Sequence, residues 1–133
     1  TAVSAINTFS GMVVDVQARK PVSGTTTGGI SGPAIRPMAV RMVWQVANAV
    51  DLPVIGMGGI SNARDALEFF LAGATAVAVG TANFTHPTTM TKIISDLEIY
   101  LEENGIGNIS ELTGALEAGA MVVTEPKASA PTV

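Results

Sequence analysis

An α/β fold with parallel strands covered by helices follows from three observations in the sequence. Strand-like apolar runs alternate with segments of helical period, and the runs are apolar throughout rather than alternating with polar residues. Two of them also end in glycine: "PVIGMGGI", Pro53 to Ile60, and "AVAVGTANF", Ala76 to Phe84. The compatible architectures are a doubly wound sheet or part of an eightfold barrel. Three strands cannot close such a barrel, which typically takes about 250 residues.

Taken in order, "AVSAINT" reads as a short buried strand, Ala2 to Asn7, stopping at the polar pair Asn7-Thr8. The segment "GMVVDVQARKPVSG" sets Met12, Val14 and Val16 against Val13, Asp15 and Gln17 around a Lys-Pro break, which predicts an inserted hairpin. "TTTGGISGPAIRP" is too rich in Gly, Thr and Pro for regular structure and reads as a loop. Pro37 then suits a helix start, where no backbone N–H is required, and Ala39, Met42, Val43, Val46, Ala47 and Val50 follow at helical spacing. Pro53 closes that element, and "VIGM" makes the second strand.

Ser61 or Asn62 can cap the next helix, whose stripe is Ala66, Leu67 and Phe70 and whose left-handed stop is Gly73. "TAVAVG" is the third strand. A long helix from about Thr88 to Asn104 places Met90, Ile93, Ile94, Leu97 and Leu101 on one side, with Gly105 closing it. Ser110 can cap a short helix ending near Gly119. The expected organisation is one barrel portion over residues 1–119 and a flexible tail over residues 120–133, which has Pro and small residues but no period. Thr1, entering a strand-like run directly, is expected of a segment of a larger protein.

Composition narrows the function classes. With 133 residues, 47% hydrophobic and 14% charged, the chain has the apolar material for a core. A net charge of -4 and scattered basic residues argue against nucleic acid or an anionic membrane surface as partner. There is no cysteine, so neither a disulfide nor a thiolate-held metal or cluster can be built from this chain, and a reducing, cytoplasmic setting is expected. Asp15, Asp51, Asp65 and Asp96 are scattered, and His86 is the single imidazole, read as a surface or cap residue. No metal site is expected.

The glycines carry the chemistry. In parallel α/β units ligands sit at the carboxyl ends of the strands, where both clusters fall. At Gly56, Gly58 and Gly59 the missing side chains let backbone N–H groups approach an anion, with the following helix pointing its positive end the same way. Gly80 and Thr81 add donors from the neighbouring strand, giving a phosphate clamp. Barrels carry such a site after strands seven and eight, so these would be the last two strands. A Rossmann motif is excluded, because "GMGGI" does not fit G-x-G-x-x-G and no acidic residue ends the following strand. Asn7 and Thr8 could meet the edge of a polar heterocycle or serve only as turn formers.

The set "INT", "TGGISGPAIRP", "VIGMGGI" and "AGATAVAVGTANF", in uninterrupted order between Ala2 and Asn104, resembles the carboxyl-terminal half of dihydroorotate dehydrogenase catalytic subunits of the NAD-linked class, class 1B. The resemblance implies the last three or so β/α units of a TIM (β/α)8 barrel that binds FMN and oxidises dihydroorotate to orotate in pyrimidine biosynthesis. It implies that Ile6 lines the flavin, Asn7 and Thr8 meet the substrate, and Gly32 lies against FMN. Gly58, Gly59, Gly80 and Thr81 would take the flavin phosphate.

In the family a cysteine base and a lysine near the flavin lie upstream of the matching residues, so no catalytic residue is expected in this segment. The implied partners are the amino-terminal half of the barrel, a second catalytic copy, and an iron–sulfur flavoprotein subunit carrying FAD and the cluster. A barrel like the pyrimidine-reducing domain of dihydropyrimidine dehydrogenases, or a non-catalytic half-barrel binding module, stands as the alternative.

Overall fold

A computed structural model describes residues 1–117 and Gly119. The expected tail, 120–133, lies outside the described residues. The central sheet has three parallel strands: β1 (Val3–Ala5), β6 (Val54–Met57) and β7 (Ala76–Ala78), side by side in chain order. Between β1 and β6 come four short strands: β2 (Phe9–Gly11), β3 (Val14–Asp15), β4 (Lys20–Pro21) and β5 (Gly28–Ile30). The helices are α1 (Arg36–Ala49), α2 (Ala63–Leu71), α3 (Ala82–Thr85) and α4 (Thr89–Glu103).

Sheet order decides where the helices go. Parallel crossovers are almost always right-handed, so two successive crossovers stepping the same way along a sheet place their helices on the same face. Accordingly α1 and α2 pack on β6 and on each other, and Ala39, Val43, Ala66, Phe69, Phe70 and Ile93 share one core with Ala5 and Val54. Gly56 makes this approach possible. A β-carbon there would lie 2.6 Å from the Phe69 ring and 3.1 Å from the Ala74 β-carbon. On the opposite face, Ser4 and Ala76 are exposed, and Ile55 and Met57 are half-buried. A parallel sheet with helices on one face and its other face uncovered is one side of a barrel-like wall rather than a doubly wound sheet.

Local sequence accounts for the helix ends. Pro37 sits in the first turn of α1, where its missing N–H removes no helical bond. Asn62 caps α2, its Oδ1 accepting from the Asp65 amide at 3.0 Å. Gly73 follows α2 at a φ of 108°, a conformation in which a β-carbon would be strained.

Several expectations are corrected. The stretch 25–37, read as a loop, contains β5, which pairs antiparallel with the unforeseen β2 (Phe9 opposite Ile30, Gly11 opposite Gly28), and a 3-10 turn at Pro33–Ile35. Gly28 and Gly29 have weak strand preference, so only a partner distant in sequence defines this ladder. The stripes differ at their edges: Met42 on α1, Val50 just past its end, and Met90 and Ile94 on α4 are exposed, because α1 packs on the core through Ala39, Val40, Val43, Trp44, Val46 and Ala47 and α4 through Ile93 and Leu97. Asn108, not Ser110, caps the last turn, a 3-10 helix at Ile109–Leu112. Its side chain accepts from the Ser110 amide while Glu111 Oε1 accepts from the Asn108 amide. The segment Gly11–Gly24 holds the antiparallel pair of β3 and β4, with Asp15 Oδ1 accepting from the Gln17 and Ala18 amides in the turn.

Phe69 is fully buried at the centre of this packing. Replacing it with Ala in the complete protein is expected to cost about 3–5 kcal/mol of unfolding free energy, whereas Asn62→Ala, which removes only a cap, should cost about 1 kcal/mol. Denaturant titration followed by circular dichroism measures both.

Candidate functional site

All three parallel strands release their chains toward one edge of the sheet, and a cleft of about 340 Å³ opens there. Ile6 and Thr8 reach it from the end of β1, Met57 to Ser61 from the end of β6, and Ala78 to Ala82 from the end of β7. A fourth wall is the turn Ser31, Gly32, Pro33 and Ile35 that leads into α1. Apolar side chains and bare backbone make up most of the surface. Among the described residues, no Asp, Glu, His, Lys or Arg lines it.

The residues singled out by the sequence converge here with two exceptions, Asn7 and Gly56, the latter facing the core under the Phe69 ring rather than the cleft. Ile6, Thr8, Gly32, Gly58, Gly59, Gly80 and Thr81 all line the cleft. Asn7 is not a lining residue; its Oδ1 accepts from the Thr8 amide at 2.8 Å, the arrangement of a local turn. His86 is exposed and ends α3, where its carbonyl accepts from the Thr89 amide and hydroxyl.

The two glycine clusters differ in kind. Gly59 has a φ of 78°, and a β-carbon on it would lie 2.7 Å from the Gly32 carbonyl oxygen and 3.0 Å from the Arg36 nitrogen. Gly58 is similarly confined, 2.9 Å from the Ala39 β-carbon. Backbone packing between the β6 loop and the turn before α1 therefore requires these glycines by itself. Gly80, by contrast, has nothing within 4 Å of a β-carbon position.

Backbone donors point to what the cleft can hold. Among the described residues, the amides of Gly59, Ile60, Gly80, Thr81 and Ala82 pair with no described acceptor, while that of Gly58 continues the ladder to β7. The unpaired amides come from two adjacent strand ends, which suits them to an anionic oxygen cluster. The amino end of α2 contributes less than its position suggests, because Asn62 takes the Asp65 amide and Asp65 takes the Ser61 amide.

Sequence reasoning missed the group that assembles this site. Asp65 is only 3% exposed. Its Oδ2 accepts from the Ser61 amide at 2.9 Å and from Ser61 Oγ at 2.8 Å, and its Oδ1 accepts from Arg36 Nη1. Arg36 Nε lies 3.2 Å from Glu68 Oε2, without an N–H aligned on it. One carboxylate thus joins the β6 loop to the start of α1. A second tie, Thr81 Oγ1 donating to Ser31 Oγ at 2.9 Å, joins the β7 loop to the same turn. The available signal was the single charge in "PAIRP" beside a glycine loop, together with an acid in the first turn of the next helix.

Comparison with known proteins agrees across most of the chain. The family model described as dihydroorotate dehydrogenase matches residues 1–101. The dihydroorotate dehydrogenase B (NAD(+)) catalytic subunit of Geotalea uraniireducens is 62% identical over 115 residues, covering 86% of this chain and 38% of that protein. The protein of the same name from Desulforamulus reducens is 63% identical over 112 residues, covering 84% of this chain and 37% of its own length. That from Desulforudis audaxviator is 62% identical over 114 residues, again 37% of its length. The chain therefore spans well under half the length of the curated relatives it matches.

The contrast between the glycines gives a test of the geometry. Gly59→Ala is expected to destabilise the complete protein by about 2 kcal/mol or more, through a strained φ and a collision with backbone, whereas Gly80→Ala should change stability by less than about 0.5 kcal/mol. Paired thermal melts of the two variants would reverse this assignment if Gly80→Ala were the more damaging.

Proposed function

The chain belongs to the dihydroorotate dehydrogenase family, and from that premise we propose that it forms the FMN-phosphate side, and part of the substrate side, of a barrel that oxidises dihydroorotate to orotate. The observation that carries this reading is the pair of unpaired amide clusters at adjacent strand ends, in a cleft where none of the described lining residues carries a charge. In eightfold barrels a phosphate typically lies between the loops after strands seven and eight and the start of a short extra helix. The loops after β6 and β7, with the four-residue α3 following at once, have that arrangement. They support assigning this chain to the last part of the barrel.

On this reading the amides of Gly59, Gly80 and Thr81, with those of Ile60 and Ala82, hold the phosphate oxygens, and Gly58 lines the cleft beside them. Ile6, Ile35, Met57 and Val79 keep water from the flavin, and Gly32 admits it close to the backbone. When bound, the flavin supplies the two-electron acceptor that the oxidation requires. Asn7 and Thr8 stand at the end of β1, where an amide and a hydroxyl can read the polar edge of the pyrimidine. For Asn7 this requires exchanging its bond to the Thr8 amide for one to substrate. Among the described residues no titratable group lines the cleft, so on this reading the base that takes the proton from dihydroorotate belongs to the rest of the barrel.

The relatives' names, which specify a catalytic subunit and NAD(+), support a separate subunit that passes electrons onward. We assign FAD and an iron–sulfur cluster to that subunit, and the reaction to a dimer of catalytic chains. Among the described residues no helix is long and apolar enough to cross a membrane.

Anaerobic visible spectra of the natively assembled enzyme test the activity: flavin bands should bleach on adding dihydroorotate. Bands that stay oxidised with dihydroorotate, together with reoxidation of separately pre-reduced enzyme by uracil or thymine, would move the protein to the pyrimidine-reducing barrels. For the clamp, Gly80→Val should keep the fold and lower FMN occupancy at least about tenfold, since a branched side chain there crowds the donors without touching the packed core. Full occupancy in that variant would remove Gly80 from the phosphate site.

A further inference from the structure

We propose that Asp65 is a positioning residue for the phosphate end of the cofactor, holding the β6 loop and the turn before α1 in register through Ser61 and Arg36. The inference rests on the FMN reading above and adds to it a residue that does not line the cleft.

Three observations carry it. The first is burial with a complete set of partners: the carboxylate, 3% exposed, receives two donors from Ser61 and one from Arg36. An acid placed in a helix first turn only to complement the dipole would be solvent-exposed and would not need an arginine from another element. The second is what its partners belong to. Ser61 closes the loop whose amides at Gly59 and Ile60 are free, and Arg36 follows the Ser31–Ile35 turn that forms the opposite wall. The third is the tightness of that contact. A β-carbon on Gly59 would lie 2.9 Å from the Arg36 β-carbon, so a shift of either segment displaces the other.

Arg36 also has a defined electrostatic role. Its guanidinium lies between Asp65 and Glu68 and away from the cleft lining, so it offsets buried negative charge rather than serving as counter-ion to a phosphate. The phosphate then depends on neutral amide dipoles, whose strength as an anion site depends on holding their directions before the ligand arrives. Asp65 supplies that preorganisation.

The experiment compares FMN with riboflavin, which has the same ring and ribityl chain but no phosphate. Both are titrated into the apo form of the complete assembled enzyme, with dissociation constants read from flavin fluorescence. In the unaltered enzyme FMN should bind much more tightly than riboflavin; equal binding would sink the phosphate reading itself and this inference with it. Asp65→Asn should weaken FMN about tenfold and leave riboflavin unchanged, the loss expected for a charge-assisted network feeding only the phosphate loops. A loss of equal size for both ligands would make Asp65 a general structural residue and overturn the proposal, as would no loss for either. Should Asp65→Asn fail to fold, Arg36→Lys decides. It keeps the charge but not the planar guanidinium that sets Nη1 on Asp65, and should weaken FMN about threefold with riboflavin again unchanged. An equal effect of Arg36→Lys on both ligands, or none on either, overturns the proposal.

Discussion

The Phe69 ring rests directly on Gly56, and the geometry of the molecule depends on that contact. It brings α2 close enough to the sheet for α1, α2 and α4 to share one core with β1 and β6. It also turns the small residues of β6 toward the helices and leaves Ile55 and Met57 on the other face. Because the strands stand in chain order, the described helices lie on the first face and none of them covers the second. Every strand therefore delivers its following loop to the same edge, and the cleft is the direct product of the sheet's connectivity.

Loops delivered to one edge are not yet a site, since each could fluctuate independently. Here they are joined pairwise to a common element, the turn before α1. Thr81 bonds Ser31, Gly59 packs under the Gly32 carbonyl, and Asp65 links Ser61 to Arg36. These ties use side chains that do not face a ligand as charges. That division leaves the backbone amides of Gly59, Ile60 and Gly80–Ala82 unencumbered. Affinity for an anion in such a place comes from dipoles fixed in advance, and losing a tie removes direction rather than charge.

What was legible in the sequence followed from local periodicity. The three parallel strands, the helix start at Pro37, the stop at Gly73 and the glycine-ended strands all lie within windows of a few residues. The β2–β5 ladder was not legible, because Gly28 and Gly29 gain strand geometry only from Phe9 to Gly11, some twenty residues earlier. The exposed sides of α1 and α4 were misjudged for a related reason: an apolar stripe gives the direction of a buried face but not its width. Asp65 was passed over as one of several scattered acids. Its partner Arg36 lies 29 positions away, so the two charges stand apart in the sequence and only the packed fold brings them together.

The same comparison changes what a glycine cluster means. From sequence, Gly58 and Gly59 looked like residues cleared away for a ligand, yet the structure fills the space beside them with Ala39, the Gly32 carbonyl and Arg36. Loss of ligand in a Gly58 or Gly59 variant would follow from loop distortion alone and so says little about contact. Gly80, beside an open volume and in a loop held by Thr81, is where the absence of a side chain has no internal explanation. Among the glycines that line the cleft from the β6 and β7 ends, only Gly80 lets ligand approach be separated from folding. The argument for an anion site is therefore strongest at the end of β7, with the β6 loop as its rigid counterpart.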